Sequence, residues 1–159
     1  MTSSLQGFGQ EARWARLWLG CLAVLGLLAP VAASAATLSD PDARAVRQVV
    51  EAQLDAFAAD DAERAFSYAS ASIQAQFGDA TRFMAMVRGG YPMVVRPAAV
   101  SFFRAQLDVG GTGTVSQPVQ FRDRENRLWL ATYRLEPQAG AVWRISGCVV
   151  VAASAKSLT

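Results

Sequence analysis

Apolar residues follow two different periods along this chain, and the change from one to the other falls near Tyr91. Before Tyr91, apolar positions recur every three or four residues, which is the spacing of one helix face. After it, apolar and polar residues alternate, as they do in a strand with one buried face. The pattern predicts an α+β fold, with three N-terminal helices packed on a curved antiparallel sheet of about four long strands.

The first predicted helix runs from Asp40 to about Ala59, with Asp40 as its N-cap and Pro41 at the first helical position. Its apolar stripe consists of Val46, Val50, Leu54 and Phe57. These residues are three or four apart, so we expect them to face the core together.

Further helix starts are predicted from polar residues that can cap a first turn. Asp60 and Glu63 have the spacing of a capping box, and Ser70 is placed to cap another turn. Asp79 is predicted to cap the third helix. Gly89–Gly90 would end that helix, because glycine adopts the left-handed conformation at low cost.

The second half of the chain predicts strands over residues 99–109, 115–122, 128–136 and 141–152. In the first of these, one face carries Ala99, Phe103, Leu107 and Val109. Pro118 interrupts the next strand and predicts an edge position or a bulge, since proline has no N–H to donate. The last two strands are apolar on both faces, so we expect helices on one face and a second copy of the chain on the other. This predicts a homodimer through the sheet.

An uncharged apolar stretch, Leu17–Ala35, follows Arg13 and Arg16. A positive start, an apolar middle and small residues at its end are typical of a secretory signal peptide. We expect cleavage after Ala35, and therefore a periplasmic or secreted protein. The alternative is an uncleaved membrane anchor and a tethered accessory protein, but Pro30 and the small residues after it favour cleavage.

Removal of residues 1–35 would leave one domain over 36–153 and a flexible tail over 154–159. It would also lower the formal net charge from +2 to +1, because two arginines and one glutamate are lost. A charge so close to zero gives no reason to expect a nucleic-acid partner. A membrane contact is expected only through the signal segment, if that segment is retained.

The chain contains no histidine and two cysteines. The lack of histidine excludes Ser-His-Asp and Cys-His catalysis and histidine-ligated zinc. Cys21 lies in the predicted signal peptide, so Cys148 has no intramolecular disulfide partner. Its valine neighbours favour a buried thiol over pairing between chains. We expect no cofactor.

Three segments carry a resemblance to a known family: EAQLDAFAADD at 51–61, FMAMVRGGYP at 83–92 and WRISGC at 143–148. Together they resemble the uncharacterised bacterial family called domain of unknown function 4864, over about residues 45–151. The order of elements also resembles the nuclear-transport-factor-2-like superfamily, a cone of helices closing on a curved sheet. That superfamily includes isomerases, dehydratases, hydrolases and non-catalytic binding or dimerising domains, and fold alone does not choose among them.

Acid–base chemistry in such a cone would pair a carboxylate with a tyrosine that stabilises an oxyanion. The catalytic candidates are Asp61, Asp79 and Tyr91, but helix capping accounts for both aspartates without chemistry. The candidates for ligand binding are Tyr68, Tyr91, Arg96 and Tyr133, with Arg96 as an anion ligand.

Two other segments fit structural roles better than functional ones. Gly110–Gly113 lacks the Lys-Ser/Thr ending of a phosphate loop and predicts a hairpin turn. The charged run Arg122–Arg127 predicts a solvated turn. Trp129 and Trp143 fit core or interface packing better than stacking on a ligand.

The sequence therefore predicts an exported, non-catalytic module that binds a small apolar ligand or a protein partner and dimerises. The alternative is a small-molecule isomerase, dehydratase or hydrolase that uses an Asp/Tyr pair.

Overall fold

The computed structural model describes residues 37–110 and 113–153, and within them five helices precede five strands. The helices are α1 (Asp40–Ala58), α2 (Ala62–Ser67), α3 (Ala71–Phe77), α4 (Ala80–Gly90) and α5 (Pro92–Val95). The strands are β1 (Ala99–Phe102), β2 (Gln106–Leu107), β3 (Val115–Arg122), β4 (Leu128–Gln138) and β5 (Val142–Ala152). The α+β class is confirmed. The predicted signal peptide and tail lie outside the described residues.

Two of the predicted N-caps are wrong by one residue. Ser39, not Asp40, caps α1, because its side chain accepts a hydrogen bond from the Asp42 N–H. Asp61, not Asp60, caps α2 and accepts from the Arg64 N–H at 3.0 Å. Asp60 instead adopts a positive φ of 63° in the turn before α2. The predicted caps Ser70 and Asp79 are confirmed.

The end of α4 also differs from the prediction. Gly89 and Gly90 are its last two helical residues, and neither has a positive φ. The helix ends because Tyr91 precedes a proline, which disfavours helical backbone at Tyr91. Pro92 then opens α5, a short helix that the period change at Tyr91 did not predict.

The sheet is open and antiparallel, with strand order β1-β3-β4-β5 and with β2 beside β3. Val119 and Phe121 face the helices and are fully buried, while their neighbours point to the other face. A register shift between Arg134 and Leu135 interrupts the β4–β5 ladder. Such a shift bends a strand and increases its twist, which helps the sheet to curve.

The prediction of one continuous strand over residues 99–109, with one buried face, is wrong. It is broken between β1 and β2, and Val109 is fully exposed. Pro118 of β3 lies opposite the break, where its carbonyl accepts from the Phe103 N–H at 3.0 Å. Because Pro118 offers no N–H on that side, the neighbouring chain cannot continue as a regular strand. The irregularity therefore lies beside the proline rather than in its own strand.

The core lies between α1, α4, α5 and the inner face of the sheet. The stripe of α1 meets inward residues of β3, β4 and β5 in one cluster. Its largest fully buried members are Tyr133, Phe121, Met84 and Leu135. In the described part of the chain, no helix is long and apolar enough to cross a membrane.

Candidate functional site

An apolar cavity of about 240 Å³ lies between the helices and the inner face of the sheet. Residues of α1, α3, α4 and α5 form one wall, and residues of β4 and β5 form the other. Among the described residues that line it, none is charged. Such a lining favours an uncharged ligand, because an ion would leave water for apolar surroundings.

The helical wall is built around Phe83 of α4. Its ring lies 5.6 Å from the Phe77 ring and 6.2 Å from the Phe57 ring, measured between centroids. Phe66 lies behind it at 5.3 Å. Four aromatic rings from four helices therefore fix this wall, and aromatic pairs at these distances favour tilted and edge-on contacts.

Gln53 of α1 brings a polar group to the cavity. It is 3% exposed, and its Nε2 donates to the Ala65 carbonyl oxygen at 3.1 Å. That bond fixes the orientation of the amide and leaves Oε1 as an acceptor. The structure gives Oε1 no hydrogen-bond donor among the described residues, so it is available to a ligand that carries an N–H or O–H.

Tyr133 and Cys148 bring two further polar groups to the cavity, on the wall formed by the sheet. They are directly opposite on β4 and β5, so the phenol and the thiol are neighbours on the same face of the sheet. Burial raises the pKa of the Cys148 thiol to about 12, although the neighbouring Tyr133 phenol opposes that rise. Burial likewise raises the pKa of Tyr133 well above its ordinary value. Both groups are neutral at pH 7, which makes Cys148 a poor nucleophile.

Of the four residues predicted to bind a ligand, the structure brings two together. Tyr91 and Tyr133 both line the cavity. Tyr68 is not part of the lining, and its carbonyl oxygen accepts from the Ile145 N–H at 2.9 Å. Arg96 lies on the other side of α5, in a separate cleft.

The two candidate catalytic aspartates cap helices at the surface. Asp61 is exposed at the start of α2, and Asp79 accepts from the Arg82 N–H at 2.8 Å at the start of α4. Neither lines the cavity. Among the described residues that line the cavity with Tyr91 and Tyr133, none is a carboxylate.

Sequence reasoning missed Gln53 and did not place Cys148 in a site. A signal for Gln53 was present, because it falls between Val50 and Phe57 on the apolar stripe of α1. A polar residue at a core position either has a buried partner or faces a cavity. Cys148 had no such signal, because a thiol among valines reads as an ordinary small apolar residue.

The described residues form an α+β fold in which the helices and the curved sheet together line an apolar cavity. Residues 39–158 match the family described as domain of unknown function (DUF4864), and the chain belongs to that family. Comparison with curated proteins and with solved structures gave no match. Within residues 37–110 and 113–153, no group of three or more histidine, cysteine or acidic side chains is arranged to hold a metal ion.

Proposed function

We propose that this protein is an exported, non-catalytic module that binds a small uncharged ligand in the cavity. The observation that carries the proposal is the lining itself, which is apolar and aromatic with a few polar groups. Ligand sites in proteins commonly have this composition, since apolar walls supply affinity and the few polar groups orient the ligand.

The cavity volume limits the size of the ligand. A dry cavity of about 150 Å³ holds one benzene ring, so the 240 Å³ here has room for one or two rings. Gln53 Oε1 is an acceptor, which favours a ligand with one N–H or O–H group. Indole has both properties and is a suitable probe.

The test is a calorimetric titration of the purified protein with indole. Val150 of β5 lines the cavity, so Val150→Phe should fill part of it and weaken indole binding at least about tenfold. Val149→Phe is the matched control, because Val149 is 66% exposed on the opposite face of the same strand. A lack of saturable binding to the wild type, or equal losses in both variants, would contradict the proposal.

The export part of the proposal is supported by the apolar segment and small residues before Ala36. N-terminal sequencing of the protein in a soluble periplasmic or secreted fraction should read from Ala36. A membrane-bound chain that keeps residues 1–35 would instead identify a tethered accessory protein.

The proposal also includes a homodimer through the sheet. The segment from Tyr68 to Ser70 covers the free edge of β5 at Ile145, through hydrogen bonds of 2.9 and 2.8 Å. On the outer face of β5, Val149 and Val151 are 66% and 52% exposed. Apolar side chains exposed on that face favour its burial against a second copy of the chain. Sedimentation should show a dimer for the wild type at micromolar concentration and a monomer for Val149→Lys. A monomeric wild type would contradict the proposed homodimer.

A further inference from the structure

A second cleft of about 370 Å³ lies between α5 and the loop that joins β3 to β4. Its charged lining residues are Arg88, Arg96, Arg124, Arg127, Asp123 and Glu125. Met93, Val95 and Trp129 supply apolar surface beside them. The cleft therefore combines an excess of positive charge with apolar surface, unlike the uncharged cavity on the other side of α5.

Asp123 gives the loop a fixed conformation. Its side chain is 8% exposed and accepts from the backbone N–H groups of Glu125 and Arg127 at 3.1 and 2.8 Å. It also accepts from Trp129 Nε1 at 2.9 Å and Arg127 Nε at 2.7 Å. Burial alone would raise the pKa of Asp123, but these hydrogen bonds from Trp129 and Arg127 lower it below its ordinary value. The sequence predicted a solvated turn here, whereas the structure holds the loop around a buried carboxylate.

Two of the four arginines already have acidic partners. Arg88, in the last turn of α4, pairs with Asp60 in the turn before α2. Arg127 pairs with Asp123 and, at 3.2 Å, with Glu125. Their charges are therefore largely balanced within the protein.

The other two arginines have no acidic partner among the described residues. Arg96 donates from Nε to the Ala58 carbonyl oxygen at 3.1 Å, which orients its guanidinium and leaves both terminal nitrogens free for an anion. Arg124 is exposed, and the structure gives its guanidinium no hydrogen bond or ion pair. Both line the same cleft, so they supply its excess positive charge.

We propose that this cleft binds an organic phosphate monoester, with Arg96 and Arg124 as its ligands. A phosphate monoester carries about −1.5 to −2 charges at pH 7, which matches the two unpaired guanidinium groups. Guanidinium groups bind phosphate oxygens through paired, charge-assisted hydrogen bonds. The organic part would lie against Met93, Val95 and Trp129. The same phosphate chemistry occurs in a free metabolite and in the headgroup of phosphatidic acid.

The experiment is a calorimetric titration of the purified protein with phenyl phosphate. Arg96→Gln and Arg124→Gln should each weaken binding about tenfold, the usual effect of losing one charge-assisted hydrogen bond. Arg44→Gln is the control, because Arg44 is an exposed arginine near the start of α1, whereas Ala58, beside Arg96, is the last residue of that helix. Arg124 is fully at the surface, so its variant should keep the wild-type melting temperature.

Vesicles with and without phosphatidic acid form the second arm, read by cosedimentation. Binding that depends on phosphatidic acid and on Arg96, without binding of phenyl phosphate, would assign the phosphate to a lipid headgroup. Binding of phenyl phosphate in solution would assign it to a free ligand. If neither probe binds, or if Arg44→Gln weakens binding as much as Arg96→Gln, the cleft is not a phosphate site.

Discussion

The short helix α5 separates two sites of opposite character. Val94 points to the apolar cavity, while Met93 and Val95 line the arginine cleft. The cavity is lined by buried and half-buried residues, mostly on helices and strands, whereas the cleft carries exposed arginines around one loop. The periodic pattern of buried residues in the sequence can therefore predict residues of the cavity. The shape of the cleft depends instead on hydrogen bonds within a loop, which leave no periodic pattern.

The cavity and the cleft should also differ in how substitutions affect folding stability and ligand binding. Residues of the cavity wall belong to the hydrophobic core, so their replacement should affect folding as well as ligands. The unpaired arginines of the cleft are exposed, and Arg96 also donates a hydrogen bond to the Ala58 carbonyl oxygen, so their replacement should affect anion binding more than folding.

The largest expected effect is on the helical wall of the cavity. Phe83→Ala removes a ring that is 6% exposed and contacts three other rings, and it should lower the free energy of unfolding by about 3–5 kcal/mol. Urea denaturation measures the loss. Phe103→Ala is the matched control, since Phe103 is 43% exposed, and it should cost less than about 1 kcal/mol. Similar losses in both variants would contradict the assignment of Phe83 to the core.

A smaller effect is expected at the polar part of the cavity. Gln53→Met keeps most of the side-chain volume but removes the hydrogen bond to the Ala65 carbonyl oxygen. The free energy of unfolding should fall by about 1–3 kcal/mol, because a buried acceptor loses its partner. Indole should also bind more weakly, since Oε1 is lost. Unchanged indole affinity would show that this amide does not orient the ligand.

The thiol and phenol on the sheet wall predict a loss of stability at alkaline pH. The pKa of Cys148 is about 12 in the folded protein against 9.0 for a free thiol. The unfolded chain therefore releases this proton first, and stability falls as pH rises above about 9. One such group lowers the free energy of unfolding by about 1.4 kcal/mol for each pH unit in this range. Cys148→Ala should flatten the decline measured by urea unfolding between pH 8 and 10; an unchanged slope would contradict burial of the thiol.

The smallest effect is a difference in salt dependence between the two sites. An increase from about 0.05 to 0.5 M NaCl should weaken phenyl phosphate binding several-fold, because the arginines of the cleft are exposed and screened. Indole binding in the uncharged cavity should change by less than about twofold. Calorimetric titrations at both salt concentrations give the comparison, and equal salt dependence would place both probes in one site.

The sequence predicted the parts of the fold that depend on regular burial. The stripe of α1 and the alternation of Val115, Val119 and Phe121 are confirmed, because buried faces repeat with the period of their element. The break between β1 and β2 was missed, because it depends on a proline in the neighbouring strand. The helix α5 was missed because four residues are too few to show a period.

The candidate site was predicted less completely than the fold. Tyr91 and Tyr133 were named and line the cavity, but Gln53 and Cys148 were not identified as lining residues. Their positions depend on which parts of α1 and β5 face each other, and this follows from tertiary packing. The loop around Asp123 was predicted to be a solvated turn. A run of alternating charges has the same sequence pattern whether all of its side chains are exposed or one carboxylate is buried, as Asp123 is.

The most direct test of the central proposal is native mass spectrometry of the wild type, Val150→Phe and Val149→Phe, each before and after addition of indole. We expect one small molecule bound per chain in the wild type and in Val149→Phe, either retained from the cells or supplied as indole. In Val150→Phe we expect no bound molecule, or far less of it. Three identical spectra without any bound molecule would contradict a ligand-binding cavity.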